Sequence, residues 1–212
     1  ELNKTFTADP ATGWSLYLHI PFCESLCTFC GCNTFITRNH KNEETYTEAI
    51  HRELSTYLSS VPLLKEAPLR QIHLGGCTPT FFSPASLRRL RRPLLDSTNI
   101  DPAWFEGSIE VGPRSTTREQ LEVLRELGFQ RISMGVQDYN PEVQRLINRI
   151  QPVEMTRDLT LLARQLGFES VNYDLIYGLP AQTEESFRQT AATTIALRPD
   201  RLALYSFAFV PW

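Results

Sequence analysis

The chain has 212 residues, of which 42% are hydrophobic and 10% aromatic; this is enough for one sizeable core and too apolar for a disordered chain. Its 21 Lys and Arg against 24 Asp and Glu give a formal net charge of −3, so no basic excess predicts a nucleic-acid partner. No apolar run approaches the ~18 residues of a membrane span, and residues 1–4 lack the pattern of a signal peptide. We therefore expect neither nucleic acid nor membrane as a partner.

Six short runs rich in Ile, Val, Tyr and Phe, flanked by Gly or Pro, predict β-strands. Amphipathic stretches separate them, and the longest helices are predicted over residues 43–58 and 184–197. Such alternation is typical of a parallel sheet with crossover helices. Six β/α units fall short of a closed eight-unit barrel, so the expected fold is an α/β, partial (β/α)6 barrel with outer helices. The six predicted strands are 14–20, 71–74, 107–111, 131–136, 170–176 and 202–207.

Capping signals predict where several helices begin and end. Ser83 and Asn140 each precede a proline, which is the order of an N-cap and the first helical residue. Thr116 with Glu119 fits a capping box. A glycine in left-handed conformation often ends a helix, and two glycines stand at such places: Gly128 and Gly167.

Four of the five cysteines lie close together in the sequence: Cys23, Cys27, Cys30 and Cys32. An odd, clustered set favours metal binding in a reducing compartment over a disulfide framework, so we expect a cytoplasmic protein. The cysteine loop directly follows the first predicted strand. In parallel β/α folds that face of the sheet carries the chemistry.

The spacing C-x3-C-x2-C suits a compact iron–sulfur centre. A [4Fe–4S] cube normally takes four thiolates, so Cys23, Cys27 and Cys30 by themselves leave one iron open to a small molecule. Interleaved apolar side chains such as Phe29 keep water from such a cluster. Structural zinc and free thiols are the alternatives, although zinc sites usually join two separated ligand pairs and Cys77 has no second cysteine near it in the sequence.

These motifs resemble the radical S-adenosylmethionine (SAM) superfamily, whose hallmark is C-x3-C-x2-C after the first strand. The resemblance narrows to the oxygen-independent coproporphyrinogen III oxidases, whose cysteine loop ends in Cys-Gly-Cys, as residues 30–32 do here. It implies that residues 1–212 form a radical SAM core domain, a fragment without the family's N-terminal extension and C-terminal domain. The similar segments are 17–33, 75–80, 134–138, 147–149 and 174–180.

The resemblance implies an activity, which is the oxidative decarboxylation of coproporphyrinogen III to protoporphyrinogen IX in haem biosynthesis. A [4Fe–4S] cluster and SAM are the implied cofactors, and a 5′-deoxyadenosyl radical made from SAM takes hydrogen from a substrate propionate. A reductant such as a flavodoxin or ferredoxin is the implied partner, and we expect a monomer. The alternatives are a haem-binding or haem-degrading radical SAM relative and, from another class, a non-catalytic zinc-stabilised binding module.

The resemblance also implies the roles of individual residues. Cys23, Cys27 and Cys30 match the cluster ligands, and Cys32 matches a cysteine associated with activity. Positions that match family residues in contact with SAM are Tyr17, Phe29, Gly76, Cys77, Thr78, Glu110, Gln137, Arg149, Asp174 and Ala208.

Three positions depart from the family pattern. Cys77 stands where a third glycine is usual, Gly112 where relatives often carry an acidic or amide residue, and Phe209 where they often carry histidine. The side chain of Cys77 occupies a place where the backbone approaches SAM or substrate, and a positive φ there costs ~1 kcal/mol or more. A role for Cys77 as a cluster ligand is the alternative.

Overall fold

A six-stranded, all-parallel sheet forms the centre of the computed structural model, which describes Lys4 and residues 12–209. Residues 1–3, which belong to the segment that lacks a signal-peptide pattern, lie outside the described part of the chain. The strands in chain order are β1 Trp14–Ile20, β2 Phe22–Cys23, β3 Phe35–Ile36, β4 Leu69–Gly76, β5 Glu106–Val111, β6 Phe129–Gln137, β7 Ser170–Tyr177 and β8 Arg201–Ser206. The large sheet has the order β1-β4-β5-β6-β7-β8. Its end strands do not pair with each other, so the described part of the chain forms an open barrel.

Helices connect the strands of the sheet. Among the described residues, no helix is long and apolar enough to cross a membrane. The helices are α1 Asn42–Ser60, α2 Pro84–Asp96, α3 Arg118–Glu126, α4 Pro141–Leu146, α5 Val153–Gln165 and α6 Glu184–Leu197, with short 3-10 helices at Pro62–Lys65 and Pro79–Phe81.

The structure confirms the predicted α/β fold, and each predicted strand or helix limit lies within two residues of the observed one; α1 extends beyond the predicted 43–58 at both ends. β1 and α6 have the predicted limits, whereas β4 and β6 extend beyond the predicted 71–74 and 131–136 at both ends. β8 begins and ends one residue before the predicted 202–207. β2 and β3 were not predicted, because two residues cannot show the alternation of a strand.

Two predicted N-caps and both helix-ending glycines are confirmed. The Ser83 side chain accepts a hydrogen bond from the Ser86 backbone at 3.2 Å, and the Asn140 side chain accepts from the Glu142 backbone at 2.9 Å. The helix-ending glycines have left-handed φ values of +85° at Gly128 and +84° at Gly167.

The predicted capping box of Thr116 and Glu119 is wrong by one residue. Thr117 is the N-cap, and its hydroxyl accepts from the Gln120 backbone at 3.2 Å while the Gln120 side chain accepts from the Thr117 backbone at 2.8 Å. The Thr116 hydroxyl instead donates to the Gly112 carbonyl at 2.9 Å. Consecutive hydroxyl residues match the capping pattern equally well, so a tertiary contact decides which one caps.

Alternation along the strands separates an apolar face from a polar one. Ile109, Ile132 and Val171 are buried in the core between the sheet and its helices, and burying each such side chain contributes about 1.5–3 kcal/mol. The residues next to them on the strands point into the barrel instead. This inner face carries His73, Ser108, Glu110, Ser133, Asn172 and Asp174, which hydrogen-bond to one another. The fold therefore surrounds a polar interior that opens toward the cysteine loop.

Candidate active site

A cavity of about 160 Å³ lies at the carboxyl ends of the strands, between the cysteine loop and the polar interior of the barrel. Parallel strands present their carboxyl ends at one edge, which is where β/α folds bind ligands. Twelve of the predicted site residues line it: Cys23, Cys27, Phe29, Cys30, Cys32, Gly76, Cys77, Thr78, Glu110, Gln137, Arg149 and Asp174.

Tyr17 and Ala208 are the two predicted site residues that do not line this cavity. The Tyr17 ring stacks on His73 with centroids 5.7 Å apart, and its hydroxyl shares a hydrogen bond with His19. Burial raises the pKa of Tyr17, and the nearby Glu110 raises it further. Ala208 is exposed after the end of β8. The cavity is thus lined by twelve of the fourteen predicted site residues, and Tyr17 and Ala208 are not part of its lining.

Short backbone contacts hold the cysteine loop in place. β2 pairs with β3, and the Thr37 backbone donates to the Cys23 carbonyl at 2.9 Å, which closes the loop at its base. Within it, the Cys30 backbone donates to the Cys27 carbonyl at 3.0 Å in a tight turn. Cys23 and Cys27 are buried, Cys30 is half-buried and Cys32 is exposed. This turn sets three sulfur atoms on one wall of the cavity.

Hydrogen bonds among the thiols divide them into acceptors and donors. A hydrogen bond from Cys77 lowers the pKa of Cys23 to about 6. Hydrogen bonds from Cys32 and then from Cys77 lower the pKa of Cys30. The bond to Cys30 raises the pKa of Cys32, and the bonds to Cys23 and then to Cys30 raise the pKa of Cys77. Thr78 also contacts the Cys23 sulfur at 3.2 Å. Two of the expected ligands are therefore set up to ionise, as metal binding requires.

Two arginines approach the sulfur of Cys27. Arg149 Nη1 donates to it at 3.6 Å and Arg114 Nη2 at 3.9 Å. Arg149 is itself fixed by a 2.6 Å bond from Nη2 to the Gly135 carbonyl. A Cβ added at Gly135 would lie 2.9 Å from Arg149 Nη2, so a glycine here lets the guanidinium reach the cavity.

Glu110 links the glycines at the end of β4 to the interior of the barrel. Its carboxylate accepts from the Gly76 backbone at 3.2 Å and lies 3.4 Å from His73 Nε2. Gly76 has a φ of +117°, and an added Cβ would lie 2.6 Å from the Ile20 carbonyl, so only glycine fits. Cys77 follows with its backbone bonded to the same carbonyl at 2.9 Å and is not among the described residues with positive φ. The strain considered for Cys77 therefore does not arise.

Asp174 lies on the inner face of β7 and is held by two neighbours. Ser133 donates to it at 3.0 Å and Asn172 at 2.7 Å. Burial raises the pKa of Asp174, which these hydrogen bonds only partly offset. A half-buried carboxylate with spare acceptor capacity suits a ligand that offers hydroxyl or amine donors.

Two buried polar atoms in the cavity have no partner within the described part of the chain: Gln137 Oε1 and Arg149 Nε. Gln137 also has a φ of +68°, a conformation that costs on the order of 1–3 kcal/mol for a residue with a side chain. Buried polar atoms are normally bonded, so these atoms fit a site completed by a polar ligand.

The three cysteines fit an iron–sulfur cube in the type of ligand they offer, and all three line one cavity. Soft thiolates are the ligands such clusters take, and three of them share the cavity wall with apolar Phe29. Among the described residues, no group of three His, Cys, Asp or Glu side chains could share one metal ion. A cube does not need that convergence, because each thiolate binds a different iron.

Sequence reasoning missed several residues that shape the site. Arg114 was not singled out, although it follows β5 at the edge where ligands bind. Ser133 and Asn172 were also missed, since single polar residues in strands are common; their alternation with buried residues was the available signal. Of the positions that depart from the family pattern, Phe209 is exposed. Gly112 lines the cavity, and an added Cβ there would first meet the Ser115 hydroxyl at 3.3 Å.

The sequence is similar to known proteins over most of its length. Residues 17–193 match the model of the Radical SAM superfamily. The chain is 45% identical over 202 residues to the oxygen-independent coproporphyrinogen III oxidase of Escherichia coli strain K12, a match that covers 95% of this chain and 43% of that protein. The enzyme of the same name from Pseudomonas aeruginosa is 44% identical over 198 residues, covering 93% and 43%. The chain thus spans less than half the length of these curated relatives.

Solved structures share the fold. The coproporphyrinogen III oxidase (HemN) from Escherichia coli, described as a radical SAM enzyme, superposes with a TM-score of 0.92 at 43% identity, covering 99% of this chain and 47% of that one. Methylornithine synthase superposes with a TM-score of 0.61 at 15% identity, covering 98% and 57%, which is a likeness of fold alone. The predicted partial barrel agrees with both.

Proposed function

The chain belongs to the radical SAM superfamily, and we propose that it forms the catalytic core of an enzyme that converts coproporphyrinogen III to protoporphyrinogen IX. Members of the superfamily use a [4Fe–4S] cluster and SAM. The proposed reaction oxidatively decarboxylates two propionates in haem biosynthesis, and the similarity to oxidases of that name supports it. The observation that carries the proposal is the cavity that joins the cysteine loop to the polar ends of β5, β6 and β7.

Three thiolates would hold the cluster in this proposal: those of Cys23, Cys27 and Cys30. A cluster held there would supply the electron for cleavage of SAM, and SAM would supply the radical that takes hydrogen from the substrate. Arg114 and Arg149 place positive charge beside the Cys27 sulfur and so offset the negative charge of a bound thiolate. Phe29 excludes water from the same wall, which protects a reactive radical from side reactions.

The polar residues of the cavity would bind and orient SAM. Asp174 and Glu110 offer acceptors to hydroxyl and amine groups, and the open Gln137 Oε1 adds a third. The buried Nε of Arg149 offers a donor to a carboxylate. Asp174, Glu110 and Arg149 are fixed by neighbours before any ligand arrives, and such preorganisation lowers the cost of orientation. Flavodoxin or ferredoxin as reductant, a monomeric state and a cytoplasmic location belong to the same proposal.

The proposal is tested by anaerobic reconstitution of the chain with iron and sulfide, followed by EPR of the reduced protein with and without SAM. We expect a cluster signal that changes on addition of SAM, SAM cleavage to methionine, and CO2 release from coproporphyrinogen III. Cys27→Ser should remove the cluster and all three readouts. The exposed variant Glu184→Gln is the matched control, because that carboxylate lies on the surface of α6.

A chain that binds zinc instead, or a cluster whose spectrum SAM does not alter, would contradict the radical SAM mechanism. SAM cleavage without CO2 release from coproporphyrinogen III would retain the mechanism and overturn the proposed substrate.

A further inference from the structure

Cys77 lies in the cavity beside the cysteine loop. It follows Gly76 at the end of β4, and its backbone bond to the Ile20 carbonyl at 2.9 Å fixes it against the end of β1. Its side chain lines the same cavity as Cys23, Cys27 and Cys30. About fifty residues separate Cys77 from the cysteine loop in the sequence, and the pairing of β1 with β4 brings them together.

The side chain of Cys77 lies beside those of Cys23 and Cys30, two of the three expected ligands, in the same cavity. By contrast, Cys32 is exposed and lies beside Cys30 alone among the expected ligands. A [4Fe–4S] cube normally takes four thiolates, and the three of the loop leave one iron without a protein ligand. Of the remaining two cysteines, Cys77 is the one placed between separate members of the ligand set.

We propose that the Cys77 thiolate binds the fourth iron when SAM is absent, and that SAM binds by displacing it. This inference rests on the ligand set of the proposed function. The iron–sulfur bond forms as the thiol loses its proton to solvent, and it breaks as the sulfur takes a proton back when SAM enters. No electron is transferred in either direction. The chain thereby protects its cluster between turnovers and binds SAM more weakly.

The experiment compares the reconstituted chain with Cys77→Gly and Cys77→Ser. Serine keeps nearly the size of cysteine but removes the sulfur, so it separates ligation from steric obstruction. Cys32→Ser is the control for loss of a thiol near the cluster. The first measurement is the EPR signal of the three-iron form after mild oxidation with ferricyanide, because an iron without a thiolate is lost first. The second is the affinity for SAM by equilibrium dialysis.

We expect the unaltered chain and Cys32→Ser to resist loss of iron, and both Cys77 variants to form the three-iron species readily. We expect the two Cys77 variants to bind SAM about tenfold more tightly than the unaltered chain, a change of roughly 1.4 kcal/mol. Equal iron loss in all four proteins would overturn the inference and leave the proposed function in place. If Cys77→Ser binds SAM as weakly as the unaltered chain while Cys77→Gly binds it more tightly, the side chain obstructs SAM by its size. That result would overturn ligation by Cys77. Failure of every protein to load a cluster would overturn both the inference and the proposed function.

Discussion

Asp174 shows how a site residue lowers the stability of the fold. Its carboxyl lies in the barrel interior, and burial raises its pKa even though Ser133 and Asn172 donate hydrogen bonds to it. An acid whose pKa is higher in the folded state retains its proton longer than it does in the unfolded chain. The folded state therefore loses stability as pH rises from the unfolded value near ~4 through the raised folded value.

We predict that Asp174→Asn raises the free energy of unfolding at pH 7, because it removes a partly desolvated charge while keeping an acceptor for Ser133. The gain should disappear below the unfolded pKa, where Asp174 is protonated in both states. Urea unfolding at pH 7 and pH 3 measures this, with the exposed Asp158→Asn as a control. A destabilising effect at pH 7 would show that the charge is better compensated than its burial indicates. The same variant should weaken SAM binding.

Gly76 is required by the conformation and close packing of the backbone and not by a chemical role of its own. Its φ of +117° and the 2.6 Å approach of an added Cβ to the Ile20 carbonyl both exclude a side chain. We predict that Gly76→Ala lowers the free energy of unfolding by ~2 kcal/mol or more. Gly112→Ala is the matched control on the same cavity, where an added Cβ meets side-chain atoms alone, the Ser115 hydroxyl at 3.3 Å and Thr78 Cγ2 at 3.7 Å. Equal losses in the two variants, measured by urea unfolding, would refute the backbone argument.

At the scale of elements, helix caps place the loops that carry the site. Asn140 caps α4 by accepting from the Glu142 and Val143 backbones at 2.9 and 3.3 Å. That helix ends directly before Asn148 and Arg149, which contact the cysteine loop. The Asn148 side chain donates to the Leu26 carbonyl at 2.7 Å. The Asn140 cap therefore supports the segment after α4 that contacts the cysteine loop.

We predict that Asn140→Ala costs about 1 kcal/mol in thermal or urea unfolding, which is the usual cost of losing an N-cap. Asn140→Asp should retain most of that stability, since it keeps the capping oxygen. The alanine variant should also weaken SAM binding by loosening Arg149. Full stability in Asn140→Ala would mean that Pro141 alone is enough to start the helix.

At the scale of the whole molecule, the two ends of the open sheet differ. Near the carboxyl end of β1, Leu18 and Ile20 are buried. Helix α1 contacts this part of the strand through Tyr46. β8 pairs with β7 alone, and within the described residues Leu202, Leu204 and Tyr205 are each more than half exposed. Low burial predicts low local stability.

We predict that backbone amides of β8 exchange with deuterium faster than those of β5 and β6, which are paired on both sides. Exchange measured by mass spectrometry on the folded chain tests this, and β1 serves as the internal control because it is also an end strand. Protection of β8 equal to that of β6 would show that its apolar side chains are covered in solution.

The sequence by itself determined the α/β class, the order of strands and helices, and the cysteine loop with its three candidate ligands. These features depend on local signals: hydrophobic alternation, capping residues and close spacing of thiols. The same signals failed where several neighbours fit one pattern, as at Thr116 and Thr117, and where an element is too short to show a period, as in β2 and β3.

Tertiary structure decided which residues meet. Only the parallel order of the sheet brings Cys77 to the cysteine loop, Arg114 and Arg149 to the Cys27 sulfur, and Gly76 to Glu110. It also left Tyr17 and Ala208 outside the cavity. These contacts join residues separated by tens of positions, and no periodicity or spacing encodes them, because they arise from packing whole strands side by side.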